Sequence, residues 1–461
     1  MKRLAAPDPF VSDPDDGGEL TSDGSGANVS TSFEDSRTSE IITRFSYQGS
    51  VCLLYGGIRV TGRFYMSIST LPLANSVLES VEKIGPLLQE YTAVGERDRH
   101  MAKPAVQAMV DEGLFRIWLP RAYSGIESDP VTAMRVIEQV SRVDSCAGWN
   151  LQISASVTLF LAWFPDEGID EVLGRRPDAI LGGTLFPPGR AVPVEGGYRL
   201  TGRWPFVSGC HECSWFLGPA FVMAGDEPRV GDNGEPMQIL VLYPASESEL
   251  IDTWCTMGMR GTGSHDIAVR DVFIPFRRSA LLVPLSAPAK AFTGPLYRLT
   301  LWPAVAALAA PALGIARGAI DALIELGKKK TPNYTRTTIA ARPVVQTEVA
   351  EAEALLGAAR AYLYESLREG WETAMRGQLL SLNEKIKIQL ATSYAIRAAA
   401  DAVDLVHRAA GSTAIREGHP FERCFRDVHV ITQHAFGSTN RYESVGKLLF
   451  GLESDWGFFA L

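Results

Sequence analysis

Residues 196–210 read GGYRLTGRWPFVSGC, and residues 253–275 read TWCTMGMRGTGSHDIAVRDVFIP. The first stretch opens on a hairpin-like turn at Gly196-Gly197 and runs as an alternating strand. It turns again at Thr201-Gly202 and ends in an apolar run to Ser208-Gly209. The second crowds glycines and two small hydroxyls into Gly258–Ser264, then alternates once more. Glycine-rich turns between strands let backbone come close to a flat or anionic ligand. The chain on either side is helical in period. A β-module set between two helical regions, with a ligand at its glycine turns, is the first expectation.

From about 70 to 180, apolar residues recur three and four apart, as in LANSVLESVEKIGPLLQEYTAVGERDRHM and KPAVQAMVDEGLFRIWLP. Pro120 stops the second of these helices, and Asp129-Pro130 starts another. From about 180 to 288, AILGGTLF, GYRLTGRWPFV, SWFLGPAFVM, MQILVLYP and IAVRDVFIP are strand candidates, short and evenly spaced, which suggests a small sandwich or barrel. From about 293 onward the pattern is helical again. Residues 296–330 are strongly apolar, with Ala and Gly at close-approach spacing, and two long amphipathic helices follow. Three or four such helices imply a bundle, with apolar faces broad enough to suggest oligomerisation. The expected divisions are an N-terminal helical domain over 66–180, a central β-domain over 181–290 and a C-terminal four-helix bundle over 291–461. Residues 1–65 are rich in Asp, Ser and Gly and have the composition of disorder. They read either as a disordered tail or as an extension upstream of a start at Met66.

The chain has 461 residues, 46% of them hydrophobic, and a net charge of −9. That balance argues against nucleic acid and against an anionic membrane surface. No secretory leader is legible, and no apolar run of about 18 residues stands out. The six cysteines are sparse, which makes the cytoplasm the expected compartment. Cys210-His211-Glu212-Cys213 has no second pair to complete a tetrahedral zinc site, so these cysteines read as ordinary ones at a strand's edge, with no metal.

A β-module between helical regions, carrying these words, resembles the acyl-CoA dehydrogenase fold. Within it, the chain resembles the flavin-dependent, two-component monooxygenase branch. The N-terminal words Gly113-Leu114-Phe115, Pro120, Tyr123, Glu138 and Asp144 match that fold's first domain. The family's Trp-Ile-Thr flavin segment falls on Pro205–Gly209. The resemblance therefore implies Ser208 as the hydroxyl beside flavin N5, and Phe206 where the family has its Trp. Gly183 and Thr184 fall at the turn that offers donors to the pyrimidine side, a loose match. Arg260, Thr262 and Ser264, in the "G.rgt.s" loop, could bind phosphate or line the mouth of the site. His265 reads as a turn residue.

The C-terminus decides the class. Dehydrogenases of this fold carry a Glu base in a word downstream of Arg-Asp. Here Arg426-Asp427 is followed by His434 and Ala435 at the Tyr and Glu positions, and the next acid, Glu443, lies over two turns further along. A His at this place is what the monooxygenase branch shows, as in enzymes acting on 4-hydroxyphenylacetate, steroid phenols and dibenzothiophene. The resemblance implies that His434 either stabilises a flavin C4a-hydroperoxide or takes a phenolic proton, and an imidazole near its ordinary pKa suits both. The family's diphosphate-binding Arg-x-x-Phe-Gly word is missing from TPNYTRTTIAARPVVQ, where Arg336 or Arg342 could substitute. Weak anchoring fits a reduced FAD or FMN supplied by a separate NAD(P)H:flavin reductase, with O2 as co-substrate. Trp149, Asn150 and Ser154 are expected on the substrate wall, and the assembly is expected to be a homotetramer. Two alternatives stand beside this reading. One is an FAD-dependent acyl-CoA dehydrogenase with a displaced base. The other is a catalytically silent binding or scaffold member of the fold.

Overall fold

The computed structural model describes residues 53–55, 58–60, 72–174, 178–232, 234–282 and 287–460. The expectation for residues 1–65 falls almost wholly outside them. What is described there is an antiparallel pair, β1 (Leu53–Tyr55) and β2 (Ile58–Val60), with Leu53 opposite Val60. That pair belongs to a unit ending at Met66, and the second unit, Ser67–Leu461, carries everything that follows.

The second unit begins with α1 (Pro72–Asp98), α2 (Lys103–Asp111), α3 (Pro130–Val143), α4 (Ser145–Phe160) and α5 (Asp166–Leu173). The start of α3 follows from its chemistry. Asp129 accepts from the backbone N–H of Thr132, and Pro130 occupies the first turn, where no N–H is needed. Asp144 caps α4 in the same way, through Ala147. Helix α4 carries no amphipathic stripe, because nearly every side chain from Ser145 to Phe160 is buried.

The strands are β3 (Leu181–Gly183), β4 (Gly189–Val194), β5 (Gly197–Val207), β6 (Trp215–Ala224), β7 (Glu227–Pro228), β8 (Gln238–Pro244), β9 (Glu249–Ile251), β10 (His265–Pro275) and β11 (Ser279–Leu281). The expected sandwich or barrel is replaced by one mixed sheet, in the order β11-β8-β6-β4-β5-β10-β9, with β3 and β7 also paired to β6. Its path of hydrogen bonds is open, and β6 runs parallel to both β3 and β4. The expected second turn at Thr201-Gly202 is also absent. Strand β5 runs straight through it, opposite a bulge in β10 between Val269 and Val272, where Asp271 has φ +54° and donates its N–H to the Thr201 hydroxyl. Gly202 serves close approach instead. The ring of Trp204 is fully buried, and a Cβ on Gly202 or Gly218 would stand 2.7 and 2.8 Å from it.

The remaining helices are α6 (Pro295–Arg298), α7 (Trp302–Ala307), α8 (Ala309–Lys329), α9 (Pro343–Met375), α10 (Leu382–Ala410), α11 (Pro420–Ile431) and α12 (Asn440–Leu449). Helix α10 packs on α8, α9 and α11, and α8 packs on α3. Gly314 lets α8 touch α3, since a Cβ there would meet the Glu138 carbonyl at 2.3 Å. Contrary to the sequence reading, Trp302–Lys329 is long and apolar enough to cross a membrane by length and composition. It is 72% buried within the protein, as the central helix of a helical core is. Glu443 lies on α12, separated from α11 by the turn that carries His434, and pairs with Lys447.

Gly218→Ala forces a methyl against the Trp204 indole in a closed core. Overpacking of this kind costs about 1–3 kcal/mol. A lowered urea midpoint with an unchanged m-value is the expected result, and an unchanged midpoint would show that the ring gives way freely.

Candidate functional site

The sheet register builds the site. His265 at the start of β10 pairs with Val207 at the end of β5, so the residues just beyond each strand end, Ser264 and Ser208, meet although 56 positions apart. Their hydroxyl oxygens are 2.8 Å apart, and Ser264 lies 2.6 Å from the Thr262 hydroxyl. From α4, the Trp149 indole N–H donates to Ser208 at 3.0 Å. The backbone on both sides is strained: Phe206 has φ +62° and Met259 φ +53°, a region that side chains rarely adopt. At Phe206 that geometry turns an aromatic ring outward, 67% exposed, edge-on to Trp254.

Facing this strip is a cavity of about 640 Å³. Trp149, Gly183, Thr184, Phe206, Ser208, Thr262, Ser264 and His434 all line it. The other expected residues lie elsewhere. Asn150 turns away and donates to the Thr262 carbonyl, and the Ser154 hydroxyl accepts from the Leu181 N–H. Both brace the β-module from behind, because α4 is buried all round and its side chains, about 100° apart along the helix, meet different neighbours. Arg260 does not line the cavity but lies 3.7 Å from Glu96. Arg336 and Arg342 are both exposed ahead of α9. Cys210 and Cys213 are buried thiols that donate to backbone carbonyls of Gly263 and Gly209, and burial pushes Cys210 up to about 12. His265 accepts backbone N–H groups of Thr253 and Trp254 at one ring nitrogen, a structural role.

His434 sits in the turn between α11 and α12. Its ring is edge-on to Trp149, with centroids 5.5 Å apart, so Trp149 touches both candidate groups. The turn is held by Gln389, fully buried on α10, which donates to the Phe436 carbonyl at 2.8 Å. Burial alone lowers the His434 pKa to about 4. Its Nδ1 accepts the Phe436 N–H at 3.4 Å, so in the neutral ring the proton sits on Nε2. This corrects the expectation of an imidazole near its ordinary value: the ring is a neutral hydrogen-bond donor and a poor base.

Behind the site, Asp427 on α11 is buried and accepts from the Ser145 hydroxyl and the Met259 N–H. Burial raises its pKa to about 6 against those bonds. Its neighbour Arg426 donates to the Met257 carbonyl and to Glu96. The reading of the sequence passed over one whole wall. Leu301, Ala304, Val305 and Leu308 line the cavity, and their spacing is that of any buried helix face.

Among the described lining residues none carries a formal charge at neutral pH. The arrangement offers apolar walls, one strip of small hydroxyls and one neutral imidazole.

Residues 75–167 match the N-terminal domain of acyl-CoA dehydrogenases, and residues 306–439 match their C-terminal domain. The chain is 34% identical to an indole-3-acetate monooxygenase of Pseudomonas putida over 357 residues, covering 77% of this chain and 89% of that protein. It is 27% identical to HsaA, the oxygenase subunit of a flavin-dependent monooxygenase of Rhodococcus jostii, across 81% of this chain and 98% of the relative. Among solved structures, XiaF from a Streptomyces species, in complex with FADH2 and glycerol, superposes with a TM-score of 0.77. The identity is 26%, over 83% of this chain and 97% of the other.

For the apo protein the depressed His434 pKa has a stability consequence. Between about pH 4 and the ordinary 6.5 the unfolded chain binds the proton and the folded chain does not, so this group's contribution to stability is lost as pH falls through that window. Urea titrations should show His434→Asn losing less stability than wild type between pH 6.5 and 4.5; parallel losses would place the ring's titration elsewhere.

Proposed function

Since the chain belongs to the flavin-dependent monooxygenases of the acyl-CoA dehydrogenase fold, we propose that its cavity holds a reduced FAD or FMN and that an uncharged aromatic molecule is oxidised there with O2. The observation that carries this reading is the meeting of Ser208, Trp149 and His434 around a cavity whose described lining residues carry no charge. The fit to a flavin rests on the donor set. A flavin ring is flat and apolar on its faces and polar along one edge. The cavity supplies apolar walls, a hydroxyl strip at Ser208 and Ser264, and the outward ring of Phe206. Its volume lies within the range of small-molecule sites.

A bound reduced flavin supplies the two electrons with which one atom of O2 passes to the substrate and the other leaves as water. Ser208 would hold the N5 edge, with Gly183 and Thr184 beside the ring. Trp149 keeps Ser208 in place and packs against His434. His434, neutral and protonated at Nε2, would donate to an oxygen in the cavity that gains negative charge. The apolar walls lower the polarity around that oxygen. Taking a phenolic proton suits this ring less, since its free nitrogen is already engaged and its pKa is low.

The oxygenase components among the relatives imply a separate reductase. We extend that to an NAD(P)H:flavin reductase for this chain, in the cytoplasm. Assembly as a homotetramer is supported by the exposed apolar side chains of the C-terminal helices, among them Val344, Tyr362, Met375 and Leu382. The division at about 180 and 290 follows the change from helices to strands and back. The dehydrogenase alternative receives no support from the site, where no carboxylate lines the cavity among the described residues.

Two measurements test this. With reduced flavin and O2, His434→Ala should lower product formed per flavin oxidised by at least about tenfold, with hydrogen peroxide released in its place, in line with the loss of one positioned donor. Equal coupling in variant and wild type would remove His434 from the reaction. The lack of a cation among the described lining residues should also make indole a better substrate than indole-3-acetate. An unpaired buried carboxylate costs at least 1–2 kcal/mol, about tenfold in kcat/KM. Equal turnover of the acid would overturn the uncharged-substrate assignment.

A further inference from the structure

Two aromatic side chains from separate stretches of the C-terminal region line the cavity together. Phe436 lies two residues past His434, and Phe458 belongs to the segment that follows α12. Their ring centroids are 4.5 Å apart and their planes meet at 73°. Trp456 touches both without lining the cavity itself: it stacks on Phe458 at 4.9 Å and stands edge-on to Phe436 at 4.8 Å. The rings make a corner, and that corner is tied to the fold at several points. The Arg441 guanidinium lies 3.9 Å from the centre of the Trp456 ring. Asp455 pairs with Lys447 at 3.0 Å, and Lys385 on α10 donates to the Phe459 carbonyl at 3.2 Å. Phe459 itself is buried and packs on Trp302. On the other arm, Gln389 holds the Phe436 carbonyl. The Phe436 ring is centred 5.7 Å from that of His434, so the corner adjoins the imidazole of the site.

We propose that Phe436 and Phe458 form the subsite that receives the ring of an aromatic substrate, with Phe458 as a specificity-determining residue and Trp456 as the positioning residue that supports it. The proposal rests on the reading above for the aromatic nature of the substrate, and it assigns the place where the ring binds. The corner discriminates by shape and by charge distribution. A flat ring laid along one of two planes that meet at 73° stands nearly edge-on to the other. Offset-stacked and edge-to-face contacts are the two arrangements that aromatic quadrupoles favour, and the corner offers both at once. A saturated ring of similar size buries similar apolar area there, but it is puckered and has no quadrupole, so it gains from burial alone. Because Phe436 adjoins His434, a ring held in the corner is kept on the imidazole's side of the cavity.

The experiment is anaerobic equilibrium dialysis of the full chain, with and without dithionite-reduced FMN, against 2-naphthol and decahydro-2-naphthol, which share a hydroxyl and a two-ring carbon frame. The readout is the ratio of their dissociation constants. Aromatic pairing beyond area burial corresponds to about two- to tenfold. Wild type is expected to bind 2-naphthol at least about threefold tighter. Phe458→Leu keeps an apolar side chain without a ring, and the preference should fall by about threefold. Trp456→Ala should lower it in the same way although Trp456 does not line the cavity, and Trp456→Phe, which restores a ring there, should recover it. Circular dichroism confirms that each variant is folded. A wild type without preference overturns the proposal, and so does a Phe458→Leu variant that weakens both ligands equally and keeps the wild-type ratio. Failure of wild type to bind FMN overturns the flavin reading, while the ratio measured without FMN still decides the ring subsite.

Discussion

Asp427 holds three distant stretches of chain at one buried point. Its carboxylate receives the Ser145 hydroxyl from the start of α4 and the Met259 N–H from the loop before β10, while its own helix α11 leads into the turn that bears His434. Burying a carboxylate is unfavourable, and its raised pKa records that cost, which the two hydrogen bonds offset only in part. The position is kept under strain because it fixes a relationship among parts of the chain that meet nowhere else in sequence. Met259 ends the hydroxyl chain, Trp149 stands one turn beyond Ser145, and His434 follows Asp427 by seven residues.

The electrostatics of the cavity follow from the same closure. With no formal charge among the described lining residues, the field inside is set by dipoles: indole N–H groups, hydroxyls and a neutral imidazole. In a poorly screened space such dipoles are worth more than they are in water, and their orientation matters as much as their presence.

Much of the architecture was legible along the chain. Strands β5, β6, β8 and β10 fall where alternation and turn residues place them, and the start of α3 follows from Asp129-Pro130. The replacement of a Glu by Ala435 beside His434 marks the reaction class without reference to coordinates. Other features could not be read in this way. Thr201-Gly202 has the composition of a turn, yet Gly202 is there to admit the face of Trp204. Asn150 and Ser154 share a helix with Trp149 but point away from the cavity, because a helix buried on all sides gives no periodic signal of which face meets a ligand.

The sequence by itself determined the order of helices and strands, the small-hydroxyl and glycine words at the strand ends, and the His where a carboxylate base would otherwise stand. Those are local properties, written by period, turn chemistry and residue type. Only the tertiary structure decided that Ser208, Ser264, Thr262 and Trp149 meet in one hydrogen-bonded cluster, and that burial holds the His434 pKa low. Hydrogen-bond partnership and desolvation depend on which groups from distant segments are buried together, and no local pattern of residues encodes that.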